Sequence, residues 1–339
     1  MFYARLLIRR IFGGPLPPVP EFDADRANPD QGLQAAKPQI RGGDWQAAKK
    51  VMADAGDDHE LRGRRLQALS GLAIKDDGWL RVWLHTDPSD ATALMIQAAV
   101  LQSEASEARG AASAKNTTPE QFAAFHELSQ AAGQVGRRAM QLAAPGDPLP
   151  WVDLLNSMFG DRQARAHFDE VFAEGRRRDP YNFDLHLAAV SLRCQKWFGS
   201  HEQMFGIARQ VAAAAPPGAN VLLMPLFAHI EYAMREFGWD ERSDDQLNRC
   251  RAYFQRPDVQ QEVDQAIARW RAGTPNPARG ITCRNWVALY YSLARRRPEA
   301  KAVFDELGQY VVAAAAWAYF YSDEEYGYLT NWWWANGVH

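Results

Sequence analysis

The amino-acid sequence predicts an all-α protein whose helical hairpins stack as an α-solenoid, and three observations carry that prediction. At 339 residues the chain exceeds the usual size of a single core, so two domains or one elongated repeat array is expected. Beyond residue 40, apolar helical periods alternate with short Pro, Gly and Asp punctuation, and almost nothing alternates as a strand would. Prolines that open helices recur, in "TDPSDATAL" at Pro88, "AAPGDPLPW" at Pro145, "RDPYNFDLH" at Pro180 and "AAPPGANVL" at Pro216. The last two spacings are 35 (145 to 180) and 36 (180 to 216), close to the period of about 34 residues of tetratricopeptide (TPR) helix pairs.

Residues 1–30 read as an arm. "MFYARLLIRRIF" sets Phe2, Leu6, Leu7, Ile8, Ile11 and Phe12 on a broad helical face edged by Arg5, Arg9 and Arg10. A terminal helix docking on the body accounts for it best, and membrane contact through residues 1–12 is the weaker reading. The "RR" interruption and the missing A-x-A pattern argue against secretion. The prolines of "GGPLPPVPEFD" remove donors and fix φ, so this stretch reads as a semi-rigid spacer.

Residues 31–320 read as the solenoid, built from degenerate TPR-like hairpins. "GGDWQAAKKVM" offers Gly43, Trp45, Ala48 and Met52 at second-helix positions. Trp151 and Leu154 stand at W-x-x-L spacing, followed by Phe168, Phe172 and Gly175, and Trp286, Leu289, Ala300 and Phe304 repeat the theme. A small residue lets two helices approach while a large one four positions later fills the next gap. The first proline spacing, 57 (88 to 145), is longer, and the polar "EASEARGAASAKNTTPEQ" reads as a loop inserted near 102–120.

Residues 321–339 read as a Trp/Tyr-rich tail. It carries Tyr326, Tyr328, Trp332, Trp333 and Trp334. Consecutive helical residues diverge by about 100°, so these rings cannot all face one core. At least one is expected to contact a returning arm, a second subunit or a ligand, and because Trp and Tyr are favoured interface anchors a partner site stands beside simple end-capping of the array.

Composition narrows the function classes. Hydrophobic residues make up 47%, charged residues 23%, and the net charge is −3, so an overall basic bias for nucleic acid is missing. Cys194, Cys250 and Cys283 are far apart and odd in number, which fits buried thiols and a cytoplasmic protein. No run of about eighteen apolar residues marks a transmembrane helix. The arginine runs at 176–178 and 295–297 resemble anion sites, but both lie where a helix ends before proline, where the dipole favours cations.

Recognisable enzyme chemistry is missing too. Three "HE" pairs, His59–Glu60, His126–Glu127 and His201–Glu202, lack the second histidine of a zincin. His229 and Glu231 are two apart and point to different sides of a helix. No phosphate loop and no G-x-S-x-G elbow occurs. No cofactor and no metal is therefore expected. The sharpest chemistry is "CQKWFGSHEQMF" at 194–205, where a turn could bring the Cys194 thiol to the His201 imidazole, against the bland reading of Cys194 as a small buried residue. Ser200 with Gln203 reads as a capping box and Glu202 as a first-turn acid. Lys196 and His201 are left without a role.

The stretch from Lys196 to Ala233, with Trp197, Gly199, Ser200, His201, Glu202, Met204, Phe205 and the "AAPPG" turn at 214–218, resembles a bacterial family of TPR-like proteins catalogued only as a domain of unknown function. The likeness extends loosely over residues 40–320 and implies the fold, with no activity to carry over. The expected function is a non-catalytic protein or peptide interaction module, a scaffold using the solenoid groove and the aromatic tail, with self-association open. The alternative is an enzyme or small-ligand-binding protein around Cys194, His201, Glu202, His229 and Glu231; Trp197 is a further partner- or ligand-binding candidate.

Overall fold

A computed structural model describes residues 17–110, 116–238 and 244–338. The described residues are almost wholly helical, with many stacked helices and one parallel pair of two-residue strands, β1 (Glu21–Phe22) and β2 (Tyr310–Val311). The chain divides into two compact units, one of Asp30–Arg193 with Trp197–Gly199, the other of the remaining described residues. Among the described residues no helix is long and apolar enough to cross a membrane. The membrane-surface reading of residues 1–12 lies outside the described residues.

In the first unit the helices are Gln31–Arg41, Trp45–Ala53, His59–Lys75, Gly78–Thr86, Ala91–Arg109, Pro119–Leu142, Leu149–Ser157, Phe168–Arg178 and Phe183–Leu192. Local chemistry starts them: Asp30, Asp44, Asp58, Asp90 and Asn182 each accept a first-turn amide hydrogen, which satisfies donors that would otherwise be orphaned. Asp30 also receives the fork of buried Arg65 at 2.8 and 2.9 Å, and Arg65 donates on to the Val51 carbonyl near the end of the preceding helix. One guanidinium thereby ties a helix start to a helix end.

Pro88, Pro145 and Pro180 lie between consecutive helices, as their spacing suggests. Gly175 is where small size matters: a Cβ there would stand 2.6 Å from Leu185 Cδ1 and 3.2 Å from Trp151 Cβ. The helix Phe168–Arg178 therefore lies tight against its neighbours on both sides in sequence.

The expected inserted loop is much shorter than its polarity suggested. Ala91–Arg109 remains helical through 102–109 and ends at Gly110, with φ 72°. Pro119–Leu142 begins at a Thr118/Gln121 capping box, and residues 111–115 lie outside the described residues. The extra length is taken up by two long helices of 19 and 24 residues that pack on each other. The physical reason is that "SEASEAR" is polar but rich in good helix formers, and its Ala105 is fully buried.

In the second unit the helices are Ala24–Ala27, His201–Ala214, Met224–Ala233, Asp244–Phe254, Pro257–Arg271, Pro277–Leu293, Arg297–Leu307 and Glu324–Ala335. Buried Asn285 bonds the Val312 carbonyl and the Trp317 indole, fixing residues 310–317 on helix Pro277–Leu293. β1 then pairs with β2, and Phe22 meets Tyr328 edge-on at 5.8 Å. Part of the sequence region read as an arm is thus packed structure. All three cysteines are buried and none is in a disulfide.

Candidate functional site

His201, His229 and Glu231 lie in a layer formed by helices His201–Ala214, Met224–Ala233, Asp244–Phe254 and Pro257–Arg271. Ser200 is the N-cap and accepts the Gln203 amide at 3.2 Å. Gly199 is required at its place, because a Cβ would fall 2.0 Å from the Arg193 carbonyl oxygen. The cap orients His201 at the first helical position. Its Nε2 lies 2.9 Å from Glu236 Oε1, its ring centroid 4.5 Å from that of Tyr232, and its Nδ1 is buried without a hydrogen-bond partner. Glu236 is presented by a π turn, Met234–Gly238, that follows helix Met224–Ala233. Such turns re-aim side chains out of the α-helical register.

Deeper in the layer, His229 stands between a phenol and a carboxylate. Its Nδ1 lies 2.6 Å from the Tyr253 hydroxyl and its Nε2 3.1 Å from Glu262 Oε2. The carboxylate requires a donor, so Nε2 carries a proton, and in the neutral ring Nδ1 then accepts from the Tyr253 hydroxyl. Arg209 grips Glu262 from the other side at 2.6 and 2.8 Å. Arg209 first, and then His229, hold the Glu262 carboxyl down at about 2. Burial raises the Tyr253 phenol above its ordinary range. A carboxylate, an imidazole and a hydroxyl in series form a relay in outline, yet this hydroxyl is a buried phenol held neutral, stacked on Tyr232 at 5.0 Å.

A third assembly uses Lys196 and Glu231. The ammonium lies 2.7 Å from Glu231 Oε2 and 2.9 Å from Oε1, with hydrogen-bond geometry met at Oε1, and the Tyr319 hydroxyl donates to Oε1 at 2.9 Å. Glu231 is 2% exposed. Burial works against the lysine charge, but the Tyr319 oxygen and the Glu231 carboxylate outweigh it and raise its pKa. The amine is thereby kept protonated and closed to nucleophilic use.

The sequence candidates thus fall into separate bonded groups: His201 with Glu236, His229 with Tyr253 and Glu262, Glu231 with Lys196. Glu202 is exposed in the first turn of its helix, and Cys194 is buried. Trp197 belongs to the first unit, where it packs at 4.9 Å against Phe159 and takes Arg109 at 5.2 Å over its ring. In the tail, Tyr328, Trp332 and Trp334 are buried, Trp333 is half-buried, and Tyr326 is 55% exposed.

Sequence reasoning missed Glu236, Tyr253, Glu262 and Tyr319, which lie 24 to 123 residues from their partners and carry no local signal. Asp153 was findable, as the single charge in the apolar run "LPWVDLL". Burial, and then the charges of Asp147 and Asp184, raise its carboxyl far above the usual range, and its Oδ2 has no hydrogen-bond partner. Among the described residues no group of three His, Cys, Asp or Glu side chains is placed to hold a metal ion.

Comparison with known proteins leaves the geometry to speak for itself: no protein-family profile, no curated protein and no solved structure matches this chain.

Proposed function

We propose that this chain is a non-catalytic protein or peptide interaction module whose contact surface is the outer face of helix Glu324–Ala335. One observation carries the reading. The helix buries Tyr328, Asn331, Trp332 and Ala335, spaced three and four apart, while exposed Tyr326 and half-buried Trp333, seven apart, share its other face. Large rings held on a helix at that spacing offer rigid anchors at low entropic cost. The TPR-like reading of the hairpins belongs to the same proposal and is supported by the tight approach at Gly175.

The test is affinity capture with wild-type protein and Tyr326→Ala, each checked for an unchanged melting temperature. A specific partner bound by the wild type should be weakened by about 2 kcal/mol in the variant, as for an interface anchor. Equal recovery of the same partner would remove this face from the contact surface.

A further inference from the structure

We propose that Tyr253 is a reversible one-electron redox site, oxidised through Tyr232 by a small radical oxidant and made reversible by handing its phenolic proton to His229. The site does not depend on the contact face of helix Glu324–Ala335. The Tyr253 hydroxyl donates to His229 Nδ1 over 2.6 Å, and Nε2–H of the same ring donates to Glu262 Oε2 at 3.1 Å. An oxidised phenol is a far stronger acid than a phenol, so its oxidation reverses cleanly only where a base takes the proton and keeps it at hand. An imidazole already within hydrogen-bond reach is such a base.

The step balances within the site. One electron leaves the Tyr253 ring for the oxidant, which is reduced by one electron. The Tyr253 Oη–H bond breaks as an Nδ1–H bond forms on His229, leaving a neutral phenoxyl radical beside an imidazolium. Glu262 faces the new cation across Nε2–H, and Arg209 holds that carboxylate in place with bonds of 2.6 and 2.8 Å. A reductant of the ascorbate class returns the electron, and the proton goes back to the phenol oxygen.

Tyr290, Tyr319 and Tyr321, in the same unit, face poorer bases. Tyr290 donates to Asp264 Oδ1 at 3.0 Å and Tyr319 to Glu231 Oε1 at 2.9 Å, but these carboxylates already bind Arg296 and Lys196. A carboxylate ordinarily takes a proton only near about 4, an imidazole already near about 6.5, and a bound cation weakens the carboxylate further. Tyr321 donates to the amide oxygen of Asn331 at 3.1 Å, which is no base. Tyr253 is also 7% exposed, so a radical there is kept from solvent. Half-buried Tyr232 stacks on it at 5.0 Å with the rings 25° apart, which gives an oxidising equivalent a second phenol to cross by.

The experiment uses the full chain in mildly alkaline buffer, where imidazole is neutral, with pulse-generated azide radical as oxidant and ascorbate as reductant. Transient absorbance and electron paramagnetic resonance follow the radical, and the melting temperature of each variant is measured first. The wild type is expected to settle into a tyrosyl radical that ascorbate erases, and to do so more slowly in heavy water, because a proton moves with the electron. Tyr253→Phe, which keeps the ring and removes only the hydroxyl, should lose that signal. His229→Gln, which keeps a polar side chain but no base, should lose its persistence. Tyr290→Phe should keep the wild-type signal.

A wild-type radical that is absent or resides on tryptophan, or a tyrosyl signal undiminished in Tyr253→Phe, overturns the site. An unchanged lifetime in a folded His229→Gln protein overturns the role of His229. Where that variant does not fold, equal rates in heavy and ordinary water for the wild type overturn it instead. Dityrosine fluorescence after oxidation, with no recovery on adding ascorbate, makes Tyr232 and Tyr253 a cross-linking pair and overturns reversibility.

Discussion

The two arginine runs, Arg176–Arg178 and Arg295–Arg297, look alike in sequence and behave differently in the fold. The first lies in the last turn of helix Phe168–Arg178, so Glu174, three and four residues back, reaches two of its members. Arg177 forks onto Glu174 with two bonds of 2.9 Å, Arg178 bonds the same carboxylate, and Arg178 also covers the Trp151 ring at 3.5 Å. The second run begins after its helix has ended, with Arg295 in the left-handed region, so an i−4 acid has no way to serve it. Its middle member turns to Asp264 and Glu299, and its outer members lean on Trp334. What separates the runs is where the helix stops: inside it, local charges neutralise one another; beyond it, cations depend on whatever the tertiary fold brings.

A buried cation with its own partner sets the upper limit for that contrast. Glu231→Ala would leave the Lys196 ammonium uncompensated and should destabilise the protein by about 3–5 kcal/mol in denaturant unfolding. A loss below about 1 kcal/mol would mean that water reaches Lys196. Next in size, Gly175→Val in the helix of the first run should cost about 1–3 kcal/mol by overpacking against Leu185 and Trp151. A neutral result would show that this close approach is not needed to hold the first run in place. Arg296→Ala in the second run should cost about 1 kcal/mol, the scale of a partly exposed ion pair. A similar loss with Asp264→Ala would confirm that these two act together.

The gentlest test is a titration. Arg177, and then Arg178, hold the Glu174 carboxyl down at about 2 against an ordinary 4.5. A carboxylate with a lowered folded-state value contributes stability above its unfolded value and loses it as pH falls, here between about 4.5 and 2. Carbon-detected NMR should find Glu174 titrating near the bottom of that range, moving up toward 4.5 in Arg177→Ala combined with Arg178→Ala. A Glu174 that titrates at 4.5 in the wild type would make the first run's pairing too loose to distinguish it from the second.

Much of the local structure was legible beforehand. The capping Ser200, the glycine at 199, the helix breaks around Pro88, Pro145 and Pro180 and the burial of all three cysteines follow from rules that act within a few residues. The length of the polar hairpin after Gln102 was not, because polarity suggested a loop where helix propensity and the burial of Ala105 made a helix. Among the candidate site residues, His201, His229 and Glu231 were legible as chemistry but not as pairs. Lys196 and His201, the two polar residues with no local role, proved to be bonded to Glu231 and Glu236, each 35 residues away.

What the sequence by itself determined is therefore the alphabet of this protein: helices, their starts and stops, and which rings and thiols go inside. These depend on periodicity and capping, which are short-range. Only the tertiary structure decided which charge meets which, because an ion pair across helices depends on distances that no local pattern encodes. That is why Lys196 is matched by Glu231 and Arg296 by Asp264, while Arg295 is held over Trp334 on a strained backbone.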